Sequence, residues 1–171
     1  MIQIDETLCL RKPTYEDVQS LIEIKNNKES ALLLGGVPKP FTEESMKAWI
    51  DFHNEREDEA VFLICENGQP IGHIGLYQIN KQSKNAEIGI LIGKPSLHGK
   101  GYGSRSTKAL TEYGFVKLGL HRITALVLEE NIASCKMPEK CGYVREGLLI
   151  DKTFKNNRYY NVVVLSIINR N

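Results

Sequence analysis

The sequence predicts a single α/β (α+β) domain in which about four helices flank one mixed, mostly antiparallel sheet of seven strands. Three observations support this class. A chain of 171 residues is about one domain long. Short polar turns join three central strands and leave no room for a crossover helix, so these strands run antiparallel. The strand, loop, helix and strand within residues 86–128 form a longer unit, which predicts one parallel pair.

The first third of the chain predicts one strand and two helices. Residues 7–11 alternate as a short strand, and Thr14 with Asp17 forms a capping box that opens the first helix. A loop with paired glycines and two prolines follows at residues 35–40. Thr42 caps the second helix. The inward positions of that helix recur at helical spacing in Met46, Trp49, Ile50 and His53.

The middle of the chain changes to a strand pattern. Residues 60–65 and 71–79 are separated by Asn67-Gly68, a pair typical of a type I′ hairpin turn. The fourth strand covers residues 86–92. After the glycine-rich loop the patterns predict two helices, at residues 104–118 and 134–140, and three strands, at residues 121–128, 143–150 and 159–168.

Composition and charge exclude several classes of function. The 22 basic and 21 acidic residues leave a net charge of +1, so no bulk field would attract nucleic acid or an anionic membrane surface. The sequence has no apolar run of membrane-spanning length and no signal-peptide pattern at its start, so we expect a cytoplasmic protein. The four cysteines form no C-x-x-C pair and the four histidines no H-x-x-x-H pair, so we expect reduced thiols and no metal.

The glycine-rich run His98-Gly99-Lys100-Gly101-Tyr102-Gly103-Ser104 carries the strongest functional signal. At the start of a helix it offers several unhindered backbone N–H groups, which together with the helix dipole suit a phosphate or pyrophosphate. The alternative is a tight connection whose glycines only permit positive φ. The spacing of the run matches neither an ATPase phosphate loop nor a dinucleotide-binding fingerprint.

In context this run resembles the signature Gln/Arg-x-x-Gly-x-Gly/Ala of the acetyl-CoA-dependent N-acetyltransferases of the GNAT superfamily, with His98 in place of the usual first residue. Other segments within about residues 71–150 match the family in order: Ala86-Glu87-Ile88-Gly89-Ile90-Leu91-Ile92, Leu120-His121-Arg122-Ile123, Asn131-x-x-Ser134 and Glu139-Lys140-Cys141-Gly142-Tyr143-Val144-x-Glu146-Gly147. The chain is most similar to the branch of ribosomal-protein, spermidine and amino-sugar acetyltransferases. The resemblance implies a GNAT-like fold with splayed fourth and fifth strands, and acetyl-CoA as co-substrate.

The resemblance also implies where acetyl-CoA binds. The pantetheine arm would pair with the open edge of the fourth strand at Ile90, Leu91 and Ile92, because unpaired edge groups need partners that its amides supply. Asn131 and Ser134 would line the thiol end, and their alternatives are a turn residue and a helix N-cap. The loop would hold the pyrophosphate, mostly through backbone amides, with His98, Gly99, Lys100, Gly101, Tyr102, Gly103 and Ser104.

Glu87 on the fourth strand is the candidate base that takes the proton of the amine, directly or through a water; a solvated, outward carboxylate is the alternative. The family's usual tyrosine general acid falls at Pro138, which has no proton to give. Ser134 is therefore the candidate that assists departure of the thiolate. We expect Pro138 early in a helix that begins near Ser134, where its missing N–H costs least. His73 and Tyr77 on the third strand face either the acceptor or the core.

The sequence leaves the amine acceptor open. In the family the acceptor pocket is shaped by the first two helices with their loop, here about residues 26–41, and by the last hairpin at about residues 154–160. The acidic run 51–59 favours a polyamine, although such a run is more often a solvated helix end. An amino sugar, an aminoglycoside or a protein N-terminus fits a small cleft in a neutral chain as well. A homodimer through a sheet edge or the last strand is compatible with the family.

Two other classes of function stay open at this stage. A catalytically idle acyl-CoA-binding module would keep the pyrophosphate loop without turnover, and Pro138 in the place of the acid motivates this class. An interaction domain without a cofactor would use the glycine loop only as a connection. The ordered set of motifs disfavours the latter.

Overall fold

The computed structural model describes residues 1–33 and 40–170. Its helices and strands follow in the order β1 (Ile2–Gln3), β2 (Leu8–Arg11), α1 (Val18–Lys25), α2 (Lys28–Leu33), α3 (Glu43–Glu55), β3 (Ala60–Glu66), β4 (Gln69–Asn80), β5 (Asn85–Ile92), α4 (Tyr102–Val116), β6 (Arg122–Leu128), α5 (Ile132–Lys140), β7 (Val144–Lys155) and β8 (Arg158–Ile168). One-turn 3₁₀ helices occupy Tyr15–Asp17 and Pro95–Leu97. None of the helices in the described residues is long and apolar enough to span a membrane.

The strands form one sheet in the order β1-β2-β3-β4-β5-β6-β8-β7, antiparallel except for the parallel pair β5 and β6. The predicted fold class is therefore confirmed, with two elements more than the sequence patterns show. The two-residue strand β1 pairs Ile2 with Leu10 and is too short to have a periodic pattern. Helix α2 begins after Asn27, whose side chain accepts a hydrogen bond from the N–H of Ser30 at 2.9 Å.

Local signals form the turns and helix starts where the sequence predicts them. Asn67 and Gly68 both have positive φ, 48° and 79°, as a type I′ hairpin requires. Thr14 caps the turn that leads into α1 with the predicted capping box. Thr42 Oγ1 accepts a hydrogen bond from the N–H of Ser45 at 3.2 Å and starts α3. These signals hold because each is satisfied within three residues and needs no tertiary contact.

Helices cover both faces of the sheet. On one face α1 and α3 bury Leu21, Met46 and Ile50 against Leu63 of β3. On the other face the larger core lies under α4. Gly114 lets α4 approach closely, because a Cβ there would lie 2.8 Å from Ile123 Cδ1.

Strands β5 and β6 pair only over their first halves. The pairs run from Asn85 with Arg122 to Ile88 with Ala125. From Gly89 onward β5 keeps β4 on one side and pairs with no strand of the described residues on the other. The sheet therefore opens between β5 and β6, as the resemblance implies, and this opening positions the candidate site.

Candidate active site

The opening between the two strands forms a cleft of about 440 Å³, which we call the β5–β6 cleft. Strands β5 and β6, helices α4 and α5 and the hairpin of β7 and β8 all contribute side chains. The residues that line it are Ile88, Gly89, Ile90, Thr107, Ala125, Leu126, Val127, Leu128, Asn131, Ser134, Met137, Pro138, Lys152, Thr153, Lys155 and Val162. Of the predicted edge residues, Ile90 lines the cleft, whereas Leu91 lies opposite His73 on the other face. The side of Gly89–Ile92 away from β4 faces the opening and pairs with no strand of the described residues.

The glycine-rich loop lies beside this cleft. Gly99 and Gly101 have φ of 77° and 83°, which glycine alone adopts readily. Within the described residues, no hydrogen bond uses the six backbone N–H groups from Gly99 to Ser104. A Cβ on Gly103 would lie 3.9 Å from Ile90 Cδ1 and 3.8 Å from Met137 Cγ, so the start of α4 touches both the open edge and α5. The loop therefore continues the cleft with a cluster of donors that fits an anion.

The side chains of the loop differ in what they can offer. His98 and Lys100 are exposed, and His98 Nε2 lies 3.4 Å from the carbonyl oxygen of Ile92 at the end of the edge. The Tyr102 side chain is buried and its hydroxyl donates to Glu66, which raises the pKa of that phenol. Tyr102 therefore presents only its backbone N–H to the loop, and its hydroxyl lies outside the cleft lining.

Asn131 and Ser134 lie together in the lining of the cleft. The Asn131 side chain caps α5 by accepting a hydrogen bond from the N–H of Ser134 at 3.1 Å. Both residues also line the cleft, so one geometry serves the cap and the lining. Among the residues that the structure describes, the Ser134 hydroxyl has no hydrogen bond, and it is available to a group in the cleft.

Pro138 lies deeper in its helix than the sequence predicts. Helix α5 begins at Ile132, so Pro138 is its seventh residue and not an early one. A proline there cannot donate to the carbonyl oxygen of Ser134, four residues before it. The prediction was wrong because Asn131, not Ser134, is the N-cap. Buried Pro138 lines the cleft and supplies no acid there.

Glu87 lies immediately before the point where the strands part. It is paired across the sheet with Tyr77 of β4 and Thr124 of β6, on the face opposite Ile88. Its half-buried carboxylate has no hydrogen bond or ion pair with another described residue, and it is not part of the cleft lining. The Tyr77 ring covers Gly89, where a Cβ would lie 3.1 Å from its Cε2. Burial raises the pKa of Tyr77 to about 12, so this phenol stays protonated at neutral pH.

The predicted acceptor elements are only partly described. Asn26 closes the base of its loop, with its Nδ2 donating to the carbonyl oxygen of Phe41 at 3.1 Å and its Oδ1 accepting from the N–H of Phe41 at 2.8 Å. Residues 34–39 of this loop lie outside the described part. In the last hairpin the exposed rings of Phe154 and Tyr159 pack at 4.9 Å between centroids.

Sequence patterns miss a cluster on the same face of the sheet as Glu87. Lys25, in the last turn of α1, lies against Trp49 of α3 and His73 of β4. His73 is a residue that the sequence leaves between an acceptor role and the core. Lys25 gives no signal, because a lysine in the last turn of a helix is the ordinary complement of the helix dipole.

Comparison with known proteins shows the family. The model of the acetyltransferase (GNAT) domain matches residues 7–144. An uncharacterized N-acetyltransferase p20 of Bacillus licheniformis is 31% identical over 171 residues, covering 96% of this chain and 94% of the relative. The spermidine N(1)-acetyltransferase of Escherichia coli K12 is 29% identical over 164 residues, covering 92% and 84%.

A solved structure agrees with the whole fold. The spermidine N-acetyltransferase of Vibrio cholerae in complex with CoA and spermine superposes with a TM-score of 0.84 at 27% identity, covering 96% of each chain. The open edge, the adjoining donor loop and these matches agree with one another. The chain belongs to the GNAT family of acetyl-CoA-dependent N-acetyltransferases.

Proposed function

We propose that this enzyme transfers the acetyl group of acetyl-CoA to a primary amine of a small molecule or a protein N-terminus by direct attack within a ternary complex, without a metal ion. One observation carries the proposal: within the described residues the edge Gly89–Ile92 pairs with no second strand, and it opens into a cleft that continues into six N–H groups without a hydrogen bond. An edge strand and a donor loop in this order fit an extended ligand with amides at one end and a pyrophosphate at the other.

The chain's own groups divide the binding of the co-substrate between them. The edge groups of Ile90, Leu91 and Ile92 would pair with the pantetheine amides, and an edge N–H would polarise the thioester carbonyl. Asn131 would lie beside the thiol end. The loop from His98 to Ser104 would hold the pyrophosphate through its backbone amides, with the Lys100 ammonium nearby.

The transfer step forms a C–N bond and breaks the C–S bond of the thioester. The amine must be neutral to attack, so its proton has to leave before or during the step. Glu87 would accept that proton, from the face of the sheet opposite Ile88 and through a water where the distance requires one. The Ser134 hydroxyl would donate a hydrogen bond to the departing thiolate, which takes a proton to become the CoA thiol.

A catalytically idle acyl-CoA-binding module is the alternative, and Pro138 in the cleft is the observation that favours it. Release of CoA thiol from acetyl-CoA across a panel of amines separates the two. For the enzyme, Glu87→Gln lowers kcat by about 10²-fold or more and leaves the dissociation constant of CoA unchanged. The exposed carboxylate Glu112 provides the control, and Glu112→Gln keeps the wild-type rate. A chain that binds CoA but releases no thiol with any amine belongs to the idle class.

Three further properties are part of this proposal. Residues 1–171 would form a single domain, since the strands make one continuous sheet. The four free cysteines fit a reducing compartment such as the cytoplasm. A homodimer would form through β7, an edge strand that exposes Val144 and Ile150.

A further inference from the structure

A largely buried cation lies on the face of the sheet where Glu87 lies. The Lys25 ammonium is 4.4 Å from the centroid of the Trp49 ring and 5.3 Å from that of the Phe41 ring. It also lies 3.2 Å from His73 Nε2. We call Lys25, Phe41, Trp49 and His73 the Lys25 cluster. Its members come from α1, the segment before α3, α3 itself and β4.

The Lys25 cluster contains no negative charge. None of the ion pairs formed by the described residues includes Lys25. The carboxylate of Glu59 lies nearby in the fold but is bound to His53 and Arg56. Burying an ammonium without an anion is costly, and ring faces and an imidazole recover only part of that cost. Accordingly, burial lowers the pKa of Lys25 to about 8.

His73 adds a second donor without an acceptor. A lysine ammonium only donates, so His73 Nε2 must be the acceptor and the proton of the neutral ring is assigned to Nδ1. That Nδ1 is buried and has no hydrogen-bond partner among the described residues. Burial and the nearby Lys25 charge keep the pKa of His73 well below its usual value, so the ring stays neutral. Among the described residues, the Lys25 cluster therefore has more hydrogen-bond donors than acceptors.

The register of the sheet relates this cluster to the reacting end. Glu87, Gly89 and Leu91 alternate on one face of β5 and pair with Tyr77, Gly75 and His73 of β4. Cross-strand partners share a face, so the Lys25 cluster lies on the Glu87 face. From Glu87 to the level of His73 is about 13 Å at the usual rise of a strand. An acceptor with its amine near Glu87 would therefore have a second group at Lys25 on the order of 10 Å away.

None of the carboxylates of the acidic run 51–59 lines the β5–β6 cleft. Most of these carboxylates already face donors of this chain: Asp51 with Tyr15, Glu57 with Lys81, Asp58 with Arg56 and Glu59 with His53. The described lining of the β5–β6 cleft includes Lys152 and Lys155 and no carboxylate. A cationic chain inside that cleft would thus meet like charges.

We infer that the amine acceptor carries an oxyanion group, a carboxylate or a phosphate, that pairs with Lys25 and determines acceptor specificity. This inference rests on the proposed function and names its substrate class. The pair would restore the counter-charge that the buried ammonium lacks, and the neutral analogue of the acceptor would leave it unpaired.

Matched acceptors test the inference by acetyl-CoA thiol release. Trialanine is compared with its C-terminal amide, glucosamine 6-phosphate with glucosamine, and spermidine with both pairs. In at least one pair the anionic member has a kcat/KM at least tenfold higher, and the pair identifies the oxyanion. Lys25→Met reduces that ratio to within about twofold, Lys25→Arg keeps most of it, and Lys47→Met on the exposed face of α3 keeps it entirely. Preference for spermidine or a neutral member, or an unchanged ratio in Lys25→Met, overturns the inference.

A second measurement does not depend on turnover. Lysine-selective NMR follows the titration of Lys25 in the CoA-loaded protein, with inorganic phosphate or with chloride at the same ionic strength. Phosphate raises the Lys25 pKa by at least one unit and chloride does not; no difference between the two salts overturns the inference. If no amine gives thiol release, that result counts against the proposed function and not against the inference. The phosphate titration then still tests whether the Lys25 cluster binds an oxyanion.

Discussion

Replacing Lys25 by methionine tests the physical state of the buried ammonium in the folded protein. Methionine keeps an unbranched, apolar side chain of similar length against Trp49 and removes the charge. In the fold, burial lowers the pKa of Lys25 from 10.5 to about 8. In the unfolded chain the side chain is solvated and keeps the usual value. The free energy of unfolding must therefore depend on pH through this one group.

The sign of this pH dependence follows from the number of protons that the folded and unfolded states bind at Lys25. Between pH 8 and 10.5 the unfolded state binds more protons at Lys25 than the folded state, so stability rises with pH. The penalty is fully present below pH 8 and is lost as the pH approaches 10.5. From pH 7 to pH 9 the wild type gains about 1.4 kcal/mol from this group. Lys25→Met has nothing to titrate there and lacks the gain, and neutral His73 does not contribute in this window.

Urea unfolding at pH 7, 8 and 9 measures the effect as a difference between two proteins. The comparison uses the change with pH, because Lys25→Met also removes the donor to His73 and this cost of about 1 kcal/mol is the same at each pH. Lys47→Met, which removes an exposed lysine from α3, should follow the wild type. Parallel pH dependences in wild type and Lys25→Met would show that the ammonium is not desolvated and would refute the reasoning.

Three other substitutions test the site and the core. Gly101→Glu places a carboxylate and a side chain at φ 83° in the donor loop, so calorimetry should show CoA affinity reduced at least tenfold with the fold intact by circular dichroism. Ser134→Ala should lower kcat about tenfold with little change in CoA affinity; an equal rate removes Ser134 from the mechanism. Gly114→Ala should cost about 1–3 kcal/mol, because its Cβ meets Ile123 at 2.8 Å, while Gly147→Ala, with open space around it, should be near neutral in urea unfolding.

The sequence predicts most of the fold because its signals are local. The Asn67-Gly68 turn and the Thr42 cap are each complete within a few residues, and the structure shows both. The position of Pro138 was predicted incorrectly because local signals do not determine where α5 begins. Ser134 and Asn131 are both good N-caps, and which one starts α5 depends on how the chain leaves β6, with the N–H of Asn131 donating to the carbonyl oxygen of Leu128 at 2.9 Å.

The two halves of the candidate site differ in how far sequence can reveal them. The half that faces acetyl-CoA uses main-chain groups, whose direction follows from glycines and from the end of a strand pairing, and both are encoded within residues 86–104. The half that faces the acceptor depends on side chains from separate elements, since Lys25, Trp49 and His73 meet only when α1 and α3 pack on β4. None of these three residues is unusual in its own segment. A relative that kept the glycine loop but lost the lysine would bind the same co-substrate and, by the inference above, acetylate a different class of amine.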